Sequence, residues 1–191
     1  PYPGPKGFDG LFDRVNPDYG ENGTVNNCPF VGATMEIASR GYDVCARRSL
    51  GGAGAGKFME WFDGAQNELC QSFDEMKTDI LKDGNGSSGV LQGFYDDSLG
   101  TQNGGHTLHW RNENGNIIVA DGQNHTEHSW DSLLDDYGFD PGKCIRTRLD
   151  NCEPNWDNLA RDGVIGVNNA GRSWKVYDGE GSGGYSIYDE F

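Results

Sequence analysis

The sequence predicts an α+β fold, and three observations carry that prediction. Apolar residues recur at helical spacing behind Cys28-Pro29. The pair Asn114-Gly115 divides two alternating runs as a hairpin turn would, and shorter alternating runs lie between turn-rich stretches. At 191 residues the chain is long enough for one domain with a real core. Its 35% hydrophobic content and 30 glycines make that core modest and the loops many.

In chain order, residues 1–23 read as an irregular arm that packs through Tyr2, Phe8, Phe12 and Tyr19. A helix follows. Pro29 has a fixed φ and no N–H to donate, so it belongs at the first helical position and makes Cys28 the N-cap. Phe30, Val31, Thr34, Met35 and Ile37-Ala38 carry the helical period, and Gly41 stops it. Residues 42–46 form a short strand. The glycine-rich loop from Leu50 to Lys57 shares only composition with a phosphate cradle. Lys57 is followed by Phe58, so no GxxxxGK[ST] fits, and the loop is a linker. A helical turn or two spans 57–62. Residues 66–82 predict a longer helix with Leu69, Phe73, Met76 and Ile80 on one face. Residues 89–95 read as a strand, 106–110 and 116–121 as the hairpin, 130–137 as a helix capped by Ser129, 144–149 as a strand and 155–160 as a helix start. His125 and His128 fall in a polar loop. Residues 166–191, rich in Gly and Tyr, read as an extension.

The hairpin sets a register. With Asn114-Gly115 at the turn centre, Glu113 faces Asn116 and His109 faces Ala120. His106, Leu108, Asp121 and Gln123 then share one face, and His109 lies on the other. His106 and Asp121 become diagonal neighbours about 7 Å apart at the backbone. A carboxylate so placed orients an imidazole and supports its protonated form. Cys28, for its part, lies among unpaired N–H groups at the positive end of a helix dipole, which favours thiolate. Alone, Cys28 would read as a small buried residue. Joined to His106 and Asp121, it completes a nucleophile, a general base and an orienting acid.

Other chemistry is poorly served. The five cysteines (Cys28, Cys45, Cys70, Cys144, Cys152) include no CxxC pair, and the four histidines form no HExxH, so no metal site is expected. The odd count leaves at least one thiol outside intrachain disulfides, and Cys144 and Cys152 are near enough in sequence to be bridged. The formal charge of −15 argues against nucleic acid and against an anionic membrane surface as the main partner. No apolar run approaches the ~20 residues that cross a bilayer, and the first residues show no charged-then-apolar leader pattern. Residue 1 is Pro and not Met, as expected of a processed product or a piece of a larger polypeptide.

Asn27-Cys28, Glu36, Arg40-Gly41-Tyr42-Asp43-Val44 and Ala46, then Gly105-His106, Asp121-Gly122-Gln123 and the block from Arg146 to Asn155, occur in an order that resembles the papain-fold toxin domain. This is the glutamine-deamidase-like group of bacterial polymorphic toxins and phage head-associated proteins. The resemblance covers residues 24–165, leaving the arm (1–23) and the extension (166–191) outside it. It implies a papain-like cysteine-hydrolase fold with an N-terminal nucleophile helix packed on an antiparallel sheet. It places the nucleophile on Cys28, the general base on His106 and the orienting acid on Asp121. Asn26 and Asn27 are candidate oxyanion donors or simple turn and capping residues, and Gln123 is a substrate-positioning neighbour of the site or a strand-end hydrogen-bonding residue. One departure is Val31, where many relatives carry a second cysteine. The implied reaction is deamidation of glutamine side chains on a protein substrate, without a cofactor. An immunity protein or a phage head or portal assembly would be further partners, and the chain would act in an invaded cell or travel in a virion. A cysteine protease uses the same parts. A packaged virion protein that keeps the fold without turnover is the reading from another class.

Overall fold

The structure, a computed structural model, describes residues 11–17, 20, 27–42, 44–47, 53–95 and 104–167. Asn26, most of the arm, residues 50–52 of the glycine-rich loop and the extension from residue 168 lie outside the described residues. In chain order the elements are α1 (Leu11–Val15), α2 (Cys28–Ser39), β1 (Val44–Ala46), α3 (Lys57–Trp61), β2 (Phe62–Asp63), β3 (Asn67–Cys70), α4 (Phe73–Asp83) and β4 (Ser88–Tyr95). There follow β5 (Gly105–Glu113), β6 (Asn116–Asp121), β7 (Thr126–Ser129), a 3-10 turn (Trp130–Ser132), α5 (Leu133–Tyr137), β8 (Phe139–Arg148), β9 (Glu153–Pro154), α6 (Trp156–Arg161) and β10 (Ile165–Val167). This is an α+β fold built on a six-stranded antiparallel sheet of order β3-β8-β4-β5-β6-β7. No helix among the described residues is long and apolar enough to cross a membrane.

The turn chemistry fixes the middle of the sheet. Asn114 (φ 54) and Gly115 (φ 88) both take left-handed backbone, and Glu113 pairs with Asn116 and His109 with Ala120, the register expected from the sequence. Alternation along these strands then sorts side chains to two faces. On one face Leu91, Leu108, Trp110, Ile117 and Val119 bury against Phe73, Met76 and Ile80 of α4, with Leu133 and Phe139. On the other, Val90 and Ala120 join α2, α1 and α3 in a second core that includes Leu11, Val15, Phe58 and Trp61. Each large apolar side chain so buried contributes roughly 1.5–3 kcal/mol before the entropy cost of ordering it.

α2 is the central helix. From Pro29 to Ser39 every residue is buried, and only Cys28 at its start reaches solvent. Two glycines set its height above the sheet. A Cβ on Gly32 would stand 2.9 Å from the Thr107 Cγ2 methyl and 3.2 Å from Val90, and one on Gly122 would stand 2.6 Å from Val31 Cγ1. Beneath the same helix lies a polar cluster in which Glu36, His109 and Ser88 are buried and Arg40 is part-exposed. Glu36 receives His109 Nε2 at 2.7 Å, the Ser88 hydroxyl at 2.9 and 3.0 Å and Arg40 at 3.2 Å. Burial opposes the charge on Glu36, but the hydrogen bond and charge of His109, then Arg40 and Ser88, hold its carboxyl below the usual range.

Several expectations need correction. The 66–82 helix begins only at Phe73, because Asn67–Cys70 instead pairs with β8 and leaves Leu69 70% exposed. Ser72 explains the late start: its side chain accepts from the Glu75 N–H at 3.0 Å and caps the helix there. The arm is not wholly irregular, since α1 buries Leu11, Phe12 and Val15. His128 lies on β7 and not in a loop. Cys28 is the first residue inside α2, and Asn27 is the N-cap, because the Asn27 carbonyl already accepts from Val31 N–H at 3.0 Å. None of the five cysteines is in a disulfide. Cys144 stands across from Cys70 on β3, not beside Cys152.

Candidate active site

Helix pitch and sheet register together bring the predicted residues to one place. Cys28 lies four residues before Gly32, hence on the same helix face one turn nearer the N-terminus. Gly32 rests on Thr107, so Cys28 projects past it toward the start of β5. His106 is the second residue of β5, at the rim of the sheet, where a group from the α2 side can meet a ring from the opposite face. On one side of the His106 ring stands Cys28, which favours the protonated imidazole. On the other, its Nε2 is 2.7 Å from Asp121 Oδ2. Nε2 being taken, Nδ1 is the nitrogen left for sulfur. This is the reverse of the Ser-His-Asp arrangement, in which Nδ1 faces the acid.

The electrostatics follow from burial and pairing. His106 is 6% exposed and Asp121 is fully buried. Burial alone would push the imidazole toward neutrality. The hydrogen bonds and charges of Asp121 and Cys28 outweigh it and hold its pKa up at about 10. For Asp121 burial again opposes charge. The hydrogen bond and charge of His106, then the donors Tyr137 and Asn124, keep the carboxyl below its usual range. Asn124 supplies two of those bonds, its backbone N–H to Oδ1 at 3.0 Å and its side-chain amide to Oδ2 at 2.7 Å. Such an arrangement can hold a thiolate beside an imidazolium and return a proton to a leaving group.

The remaining predicted residues fall differently. Asn27 spends both amide hydrogens, one on Asn16 Oδ1 and one on the Arg47 carbonyl, each at 3.0 Å, so none is left for an oxyanion. It braces the start of α2. Gln123 is buried in the same brace, its carbonyl accepting from Asn16 at 3.2 Å, and its Oε1 has no partner among the described residues. Asn26 lies outside the described residues. The four histidines serve four separate contacts: Asp121 for His106, Glu36 for His109, the Asn16 carbonyl for His125 and Asp136 for His128. A cavity of about 550 Å³ lined by Asn85, Gly86 and Arg111 to Asn114 lies at the turn end of the hairpin, five or more residues along β5 from His106.

Three neighbours of the site were not read from sequence. Tyr137 donates its hydroxyl to Asp121 Oδ2 at 2.6 Å, and its ring lies 5.5 Å from that of His106 and stacks on Phe139 at 5.0 Å. Tyr95, half-buried at the end of β4, has its hydroxyl pKa raised by burial and then by the charges of Cys28 and Asp121. Asn124 was findable: an Asp followed three residues later by Asn, across a glycine, is an Asx-type turn. Nothing local marks Tyr137 or Tyr95, which arrive through the return of β8 to β4. Compared with known proteins, the chain matches no family model, and no curated protein matches it.

Proposed function

We propose that the chain is a papain-like cysteine hydrolase that deamidates glutamine side chains on a protein substrate, with Cys28 as nucleophile, His106 as general acid–base and Asp121 as the orienting acid. One observation carries this reading: the only cysteine that reaches solvent among the described residues opens a buried helix and stands beside an imidazole held at 2.7 Å by a buried carboxylate. The sequence resemblance supplies the substrate class. The Cys28 thiolate attacks the carboxamide carbon, forming a C–S bond and a tetrahedral oxyanion. Collapse of that intermediate breaks the C–N bond, and His106 gives its proton to departing ammonia. Water then adds to the thioester as His106 takes its proton, and glutamate and the thiol are released. The Cys28 backbone N–H, in the unpaired first turn of α2, is the donor best placed for the oxyanion, a bond worth about 3 kcal/mol at other acyl-transfer sites.

The experiment is intact-mass measurement of candidate target proteins after incubation with the chain. A gain of about one dalton per modified glutamine, absent with Cys28→Ala, is the expected result (amide to acid replaces NH2 by OH). New fragments in place of that gain would reassign the same centre to peptide-bond cleavage. Unchanged targets, together with a Cys28 indifferent to His106→Ala, would leave a non-catalytic protein.

A further inference from the structure

Proton counting around Tyr137 extends the centre outward to the surface. The Tyr137 oxygen is 2.6 Å from Asp121 Oδ2 and 2.9 Å from His128 Nε2. His128 Nδ1 is in turn 2.8 Å from Asp136 Oδ2, and its Nε2 also lies 2.8 Å from the Thr126 hydroxyl. Tyr137 has one proton to give. A carboxylate can only accept, so that proton belongs to Asp121, and the phenol oxygen presents a lone pair to His128. A proton on His128 Nε2 meets that lone pair, and one on Nδ1 meets Asp136. When His128 keeps only the proton facing Asp136, Nε2 becomes an acceptor served by the Tyr137 and Thr126 hydroxyls, and whatever Tyr137 gives it is taken from Asp121.

We propose that His128 and Asp136 are an outer positioning pair for the centre: the proton on His128 Nε2 commits the Tyr137 hydroxyl to Asp121, and its loss withdraws that hydrogen bond from the acid that orients His106. The inference rests on the reading of Cys28, His106 and Asp121 as one centre. The His128 side chain is 16% exposed, so it exchanges protons with solvent while Asp121 cannot. The groups facing it are few. From α5 come Asp136, which also accepts from Ser132 at 2.7 Å, and Tyr137. From β6 its cross-strand partner is the uncharged Val119, and Asp121 stands behind Tyr137. Glu127 is its exposed neighbour on β7, and Asp131 in the 3-10 turn is engaged by Lys77 at 3.1 Å. With the hydrogen bond withdrawn, Asp121 loses one of the three donors on Oδ2, and the imidazole it orients changes environment with it.

The test is ring NMR of the full chain labelled at histidine, which has only four imidazoles to assign. The His106 Nε2–H resonance should shift with the same midpoint as the His128 ring. The shift should be lost in Tyr137→Phe, which keeps the stacking on Phe139, and in the surface variant His128→Gln. A His106 signal that ignores His128 titration, or that follows it equally in Tyr137→Phe, overturns the proposal. These signals are read without turnover, so that result would leave the hydrolase reading standing. The hydrolase reading fails separately, if Cys28 alkylation in the same sample does not depend on His106.

Discussion

His106 carries the account at the scale of single residues, and its titration makes a stability prediction. Its folded pKa of about 10 lies above the ordinary 6.5, so the stabilisation it contributes is fully present below pH 6.5 and is lost as pH rises through about 10. Asp121 runs the other way. Its pKa is lowered from 3.8, so its contribution is present above that value and lost as pH falls through the folded one. Denaturant midpoints of the wild type should therefore decline from pH 6.5 toward 10 more steeply than those of Asp121→Asn, which removes the charge that holds the proton. Parallel curves would show that the pair does not couple in the folded state. On the catalytic side, His106→Ala should lower turnover about 10²–10⁴-fold, the ordinary worth of a positioned acid–base group, with the fold retained by circular dichroism.

Among the elements, the seating of α2 on the sheet decides whether Cys28 meets His106 at all. Gly122→Ala would force a Cβ to 2.6 Å from Val31 Cγ1 and 3.1 Å from Met35, lifting the helix. The expected cost is about 1–3 kcal/mol in chemical denaturation, with a loss of turnover larger than the loss of folded protein. Gly32→Ala meets the Thr107 methyl at 2.9 Å and should be milder. Glu36→Gln, which removes the charge facing buried His109 and part-exposed Arg40, should cost about 3–5 kcal/mol. The helix start and the hairpin were readable from local chemistry: Pro29 places the first, and Asn114-Gly115 sets the register that aligns His106 with Asp121. The stretch Asn67–Cys70 was misread because its Leu69 matches the helical period of α4, while the pairing that makes it a strand comes from β8, far along the chain. The N-cap moved by one residue because Pro is tolerated within the first turn and not only at its first position.

Across the whole molecule, burial divides the cysteines sharply, and this bears on how reactivity is judged. Cys45, Cys70, Cys144 and Cys152 are at most 6% exposed, whereas Cys28 opens to solvent. Faster labelling of Cys28 than of the others would follow from access alone, so the informative comparison is between variants at Cys28. The same two-core architecture explains what sequence could not supply. Tyr137 of α5 bonds Asp121 of β6 and His128 of β7, and Asp136 bonds His128, contacts that no spacing in the chain announces. The most direct measurement is the rate of Cys28 alkylation by iodoacetamide at neutral pH in the full chain, read by peptide mass, in wild type and His106→Ala. The expected result is that His106→Ala slows the reaction of Cys28 about tenfold or more. Equal rates at Cys28 in the two proteins would contradict the pairing of Cys28 with His106.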